Sequence, residues 1–222
     1  FSTQNGTSKR TALSAFKNVR SNGIRAIEIQ DDDRLISVKL THGDNELMLT
    51  TSGGMTVRFK EDQLRAMGRT ARGVRGIRLK EKQQVVSCTV ADPDATLMVI
   101  CENGYGKRTP IEEYRETKRG GLGVRTIQVN DRNGPVVTAF TVDETHALML
   151  ITERGVVIRM KVEDIRPMGR NTQGVRLVKL DKDDKLVAAI PVERQPDEEE
   201  EETVKPDEAA PGDDAPIADE EE

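Results

Sequence analysis

Side chains that commonly do covalent or metal chemistry are scarce in this chain and poorly spaced for it. His42 and His146 are the two histidines, each in a polar turn with no Cys or carboxylate at metal-ligand spacing, which reads as a solvated loop histidine. Cys88 falls where sister segments carry Val38, Ala139 and Ala189, and Cys101 where they carry Thr51 and Thr152. Neither belongs to a CxxC pair, so reduced thiols are expected rather than a disulfide or metal site. The stretch from Thr117 to Val124, TKRGGLGV, has the glycines and bases of a phosphate loop. It lacks the GxxxxGK[ST] spacing and no helical pattern follows it. No catalytic residue, metal or cofactor is therefore expected in this chain.

What does recur at fixed spacing is positive charge. Gly23, Gly73, Gly123 and Gly174 each open a GIR or GVR triplet. The loops before them carry Arg20; Arg69 and Arg72; Lys118 and Arg119; and Arg170, and a further base follows a large apolar residue upstream at Lys17, Arg65, Arg115 and Arg166. Stacked units would align these bases into rows. Such rows neutralise successive phosphates and release condensed counterions, giving tight, salt-sensitive, sequence-independent affinity. Nothing in the pattern ties the loop bases to a core, and neighbouring glycines let backbone N–H groups approach phosphates. The expected DNA contacts are thus Arg20, Arg65, Arg69, Arg72, Arg115, Lys118, Arg119, Arg166 and Arg170. The triplet arginines Arg25, Arg75, Arg125 and Arg176, and the hairpin arginines Arg10, Arg58, Arg108 and Arg159, leave two roles open: phosphate contact, or satisfaction of backbone carbonyls and acids.

Composition narrows the partner. The chain has 34 basic and 39 acidic residues, but 14 of the acids and only one base, Lys205, lie in Gln195 to Glu222. The remainder, with 33 bases and 25 acids, is a basic body of net charge +8 joined to an acidic extension. Aromatics make up 3% of residues and Trp is absent, so little is available to stack on splayed single-stranded bases. Duplex is favoured, and with no long helix to enter a major groove, base-specific readout is not expected. No apolar run approaches the roughly 18 to 20 residues of a membrane span, so a soluble cytoplasmic protein is expected.

The bases must be positioned by a repeat. Besides the triplet glycines, Gly6, Gly54, Gly104 and Gly155 have Arg four residues on and a large apolar residue ten on, namely Phe16, Leu64, Tyr114 and Ile165. A period near 50 with several short strands per unit is the mark of bladed or solenoid β architecture, in which one unit cannot bury its own faces. Leu47 to Leu49 and Thr56 to Phe59 flank a Ser-Gly-Gly turn and read as a hairpin. Glu61 to Ala66 suggests one helical turn, and strands are expected at Val74 to Leu79 and Val85 to Val90. The expected fold is all-β, with about four strands in each of four units, at about 1–46, 47–96, 97–147 and 148–194. Residues 1–194 form the domain, and 195–222, dominated by Asp, Glu, Pro and Ala, read as a disordered acidic tail. Phe1 falls in the middle of the first strand of its unit, so a further unit is expected upstream.

Three stretches, KEDQLRAMGRTARGVRGIRL (60–79), ICENGYGKRTPIEEY (100–114) and MGRNTQGVRLVKL (168–180), closely resemble the C-terminal domain family of DNA gyrase A, in the same order and spacing. The resemblance spans Phe1 to about Val192 and extends to the acidic tail. It implies a β-pinwheel, a propeller-like disc whose neighbouring blades exchange strands, and a role in bending duplex DNA around a basic edge. It also implies that a parent type II topoisomerase introduces negative supercoils, using ATP and magnesium bound elsewhere. The implied partners are double-stranded DNA, an upstream breakage-reunion domain and gyrase B in an A2B2 assembly. The family's heptad, Gln-Arg-Arg-Gly-Gly-basic-Gly, is absent, and Thr117 to Gly123 is its nearest relative. The breakage-reunion tyrosine belongs upstream, so neither Tyr105 nor Tyr114 takes that role, and the fragment alone is not expected to be an enzyme. Rival readings are the matching domain of topoisomerase IV and a propeller-type protein-interaction scaffold without a DNA role.

Overall fold

In the computed structural model, which describes residues 1–193, each repeat contributes a hairpin and a returning strand. These are β1 (Ser2–Thr3), β2 (Thr7–Ser8) and β3 (Leu35–Ser37) in the first unit, and β4 (Glu46–Thr51), β5 (Met55–Lys60) and β7 (Val85–Val90) in the second. The third and fourth supply β8 (Thr96–Cys101), β9 (Tyr105–Pro110) and β11 (Val136–Val142), then β12 (His146–Thr152), β13 (Val157–Lys161) and β15 (Leu186–Glu193). The GVR triplets form two-residue strands β6 (Val74–Arg75), β10 (Val124–Arg125) and β14 (Val175–Arg176).

These short strands do not join their own unit. β6 pairs with β2, β10 with β5 and β14 with β9, all antiparallel. The sheets therefore read β3-β1-β2-β6, β10-β5-β4-β7, β11-β8-β9-β14 and, among the described residues, β13-β12-β15. Each of the first three blades takes its fourth strand from the next unit. The all-β, four-stranded-blade expectation is met with this exchange.

Period-two alternation explains why the blades stack. In β8, Leu97, Val99 and Cys101 pack with Met48 of the preceding unit, while Met98 and Ile100 pack with Leu148 and Leu150 of the following one. A strand buried on both faces loses the polar half of its alternation and reads as a continuous apolar run, here LMVIC. In β4, Leu47 and Leu49 face an inner cluster with Val57, Phe59 and Leu64, and Met48 faces the next blade.

Two local expectations are shortened. The helical turn is a 3-10 turn at Glu61–Gln63, because Leu64 switches to φ −93, ψ 100 and is buried at 2% exposure. The strand expected over Val74 to Leu79 stops at Arg75 because the next N–H groups have other partners. Gly76 N–H donates to Gly6 O at 2.8 Å, and Arg78 N–H to Gly121 O at 2.8 Å. Cys88 and Cys101 are free and buried. Burial pushes the Cys101 thiol up to about 12, which keeps it inert. His146 does find a carboxylate, Asp143 Oδ1 at 2.7 Å, but no metal-binding cluster occurs among the described residues. Nor does any of their helices have the length and apolarity to cross a membrane. The acidic stretch 195–222 lies outside the described residues.

Candidate nucleic-acid interface

The loop before each triplet docks on the triplet of the preceding unit, and the same two contacts recur. Arg69, Arg119 and Arg170 donate Nη1 to the backbone carbonyls of Arg25, Arg75 and Arg125 at 3.0, 3.0 and 3.1 Å. Backbone N–H groups of Glu28, Arg78 and Gln128 donate to the carbonyls of Ala71, Gly121 and Thr172 at 3.3, 2.8 and 2.8 Å. The spacing of 50 residues in sequence thus becomes a ladder of two-arginine rungs: Arg25 with Arg69, Arg75 with Arg119, Arg125 with Arg170. Two rungs are braced further from a 3-10 turn. Arg119 N–H meets Gln63 Oε1 at 2.9 Å and its Nε meets Gln63 O at 2.9 Å. Arg170 N–H meets Glu113 Oε2 at 3.0 Å.

The ladder corrects the expectation that nothing ties the loop bases down. Arg69, Arg119 and Arg170 are half-buried, and one arm of each guanidinium fork latches two units together. Arg20 departs in another way, because the position four before the triplet glycine, taken by these three arginines, is Val19 in the first unit. Arg20 is exposed and out of register by one residue. Arg65, Arg72, Arg115, Lys118 and Arg166 are exposed and make no side-chain hydrogen bond or ion pair with the described residues. They are the bases the fold leaves available.

Of the two open groups of arginines, Arg58 and Arg108 of the hairpin group are drawn inward. Arg58 pairs with Glu46 and donates Nη1 to Ile111 O and Tyr114 O at 2.9 and 3.0 Å. Arg108, 3% exposed, donates Nε to Ile165 O and Nη2 to Glu144 Oε1 at 3.0 Å. Both staple one blade to the turn that follows the next unit's hairpin, a 3-10 turn for Arg58 and a plain turn for Arg108. The triplet arginines instead hold out exposed side chains; among the described residues none of them meets a carboxylate. They join the row of available bases.

Two supporting residues escape a sequence reading that looks for exposed charge. Lys107 is fully buried, with Nζ at 2.6 Å from Gly169 O, 2.6 Å from Arg170 O and 3.2 Å from Thr172 Oγ1. Its burial holds the ammonium down to about 8. Lys9 does the same for the second unit's loop, donating to Ala26 O at 2.7 Å and to Arg69 O. The available signal was register: Lys9 and Lys107 occupy a position three after the hairpin glycine, where the other units have Val57 and Ile158.

The family model for the DNA gyrase C-terminal domain, beta-propeller, matches residues 1–42, 45–92, 95–143 and 146–193 in turn. The chain belongs to that family. It is 59% identical to the DNA gyrase A protein of Streptococcus pyogenes over 187 residues, which cover 84% of this chain and 23% of that protein. The chain thus spans about a quarter or less of that relative. Among solved structures it is similar to the C-terminal domain of DNA topoisomerase IV, with a TM-score of 0.82 and 28% identity over 87% of this chain and 61% of that one. It is also similar to a DNA gyrase A C-terminal domain, with a TM-score of 0.76 and 27% identity over 85% and 63%. In this gyrase-type domain the repeat of the family model and the arginine ladder coincide, one rung at each junction between consecutive units.

Proposed function

We propose that this gyrase-type domain bends duplex DNA around its row of bases, without sequence preference, as the wrapping module of a type II topoisomerase that introduces negative supercoils. The observation that carries the reading is the ladder: an arginine pair recurs at each junction between units, its loop is fixed by backbone hydrogen bonds, and exposed bases flank it in register. Rigidly spaced cations can repay the cost of bending, roughly 1–6 kcal/mol for 40–90° over 20–30 bp, through many phosphate contacts. The breakage-reunion domain, gyrase B, ATP and magnesium belong to the parent assembly, with the nucleoid of the cytoplasm as its place of work. The domain itself supplies binding and no covalent step. Identity to gyrase A favours this reading over topoisomerase IV.

The test is a titration of the chain with a short duplex at two salt concentrations, followed by religation of nicked circles in its presence. Affinity falling with a log–log slope of about −0.9 per phosphate contacted, and a shifted linking number, are expected. Salt-insensitive affinity would leave a protein-interaction scaffold instead.

A further inference from the structure

The junction of the third and fourth units carries a second arginine contact besides the Arg125–Arg170 rung. Arg176 stands in the register of Arg25, Arg75 and Arg125, yet its rung contains a tyrosine. Tyr105 opens β9, where the other units have Thr7, Met55 and Val156. Arg176 donates Nε and Nη2 to the phenol oxygen at 3.1 and 2.8 Å. The guanidinium carbons of Arg132 and Arg176 lie 4.7 and 5.4 Å from the ring centroid. The guanidiniums of Arg132 and Arg176 beside it hold the hydroxyl below its ordinary range. These groups line an open cleft of about 350 Å³ together with Asn103, Lys179 and Asp184.

The electrostatics of the cleft are unbalanced. Three cations converge there, and none has an ion-pair partner among the described residues. Asp184, the one carboxylate of the lining, turns Oδ1 to the backbone N–H groups of Arg154 and Lys185 at 3.3 and 2.8 Å. A phenol oxygen that accepts guanidinium donors retains its own O–H to give, so the cleft presents one hydroxyl donor beside the free arms of two forks. Forked N–H donors match the oxygens of a tetrahedral oxyanion, and like charges brought this close are relieved by an anion between them.

We propose that Tyr105, Arg132, Arg176 and Lys179 bind a phosphate group, and that its source is the backbone of the wrapped duplex, making this cleft a fourth, phenol-anchored rung. The assignment of the source rests on the wrapping reading; the cleft's affinity for phosphate does not.

The chain has two tyrosines, and Tyr114 is fully buried against Thr126 Oγ1 at 2.5 Å. A 3-fluorotyrosine-labelled chain should therefore give one fluorine signal for each, with Tyr105→Phe assigning them and the Tyr114 signal reporting that the fold persists. Titration with a short duplex at low salt is expected to shift the Tyr105 signal and leave Tyr114 in place. Arg132→Gln with Arg176→Gln should abolish that shift and lower the salt slope by about 0.9 for the one phosphate lost. Wild-type duplex binding with an unmoved Tyr105 signal would overturn the fourth rung while leaving the wrapping reading intact. A shift with millimolar inorganic phosphate but not with duplex would overturn the duplex as source. No duplex binding by the wild-type chain would overturn the wrapping reading and this source together.

Discussion

At the scale of single residues, arginine serves two purposes that only geometry separates. The planar fork lets Arg69, Arg119 and Arg170 spend Nη1 on a neighbouring carbonyl while Nη2 makes no hydrogen bond with the described residues, a division of donors that a lysine point charge does less well. Arg119→Lys should therefore lower both duplex affinity and thermal stability. Joint replacement of Arg65, Arg72, Arg115, Lys118 and Arg166 by Gln should flatten the salt slope by up to about 0.9 per contact and move stability by no more than about 0.5 kcal/mol per site. Paired binding and melting experiments check both, and a slope left unchanged by the joint variant would remove those bases from the interface. Lys107 adds a pH dependence. Burial depresses its proton affinity to about 8 from the ordinary 10.5, with Glu113, Cys101 and Arg170 as the titratable and charged groups around it. The folded state thus disfavours the ammonium relative to the unfolded chain, and this group's contribution to stability grows as pH rises from about 8 towards 10.5. The charged grip on the carbonyls of Gly169 and Arg170 is lost as pH passes through about 8. Duplex affinity measured from neutral pH upward through about 8 should fall, and Lys107→Met should lower affinity at neutral pH and flatten the profile.

At the scale of elements, exchanged strands make glycine indispensable at two kinds of position. Gly123 has φ +75 and Gly174 φ +77, where an L side chain is strained. A methyl group on Gly174 would also come within 2.7 Å of Gly106 O, and one on Gly123 would come still closer to Thr56 O. Backbone cannot yield as a flexible side chain can, so Gly123→Ala should cost more than about 1 kcal/mol in denaturant melts. Loss of duplex affinity should follow, since loop 117–122 loses its seat. A melt within a few tenths of a kcal/mol of wild type would refute the close approach. The hairpin glycine Gly54 serves the same crossing from the other side, with φ +75 and its carbonyl accepting Thr126 N–H at 2.8 Å. The 50-residue recurrence of these glycines was legible because their conformation is dictated locally. Their partners were not, because the pairing runs between units.

At the scale of the whole molecule, charge is segregated along the chain: a basic body and 14 acids in 195–222. A polyanion tethered to a basic surface reaches an effective concentration of order millimolar and competes with DNA for the same bases. Truncation after Arg194 should raise duplex affinity, most at low salt where screening is weakest. Equal affinity for both lengths would leave that segment a solubilising role.

The sequence alone determined the repeat, its all-β character, the segregation of charge and the row of bases, because each follows from local periodicity, composition or turn chemistry. Tertiary structure decided how those bases divide. Arg58 and Arg108 recur in the same sequence register as any surface base, yet they staple blades. Arg75 and Arg125 share parity with core residues, yet they stay exposed. Lys107 looks solvent-bound by type and is buried. In each case the deciding partner lies about 40 to 60 residues away in the next unit. Single-unit patterns carry no record of it, because a blade that lends its strand to a neighbour settles its hydrogen bonds and burial across the boundary.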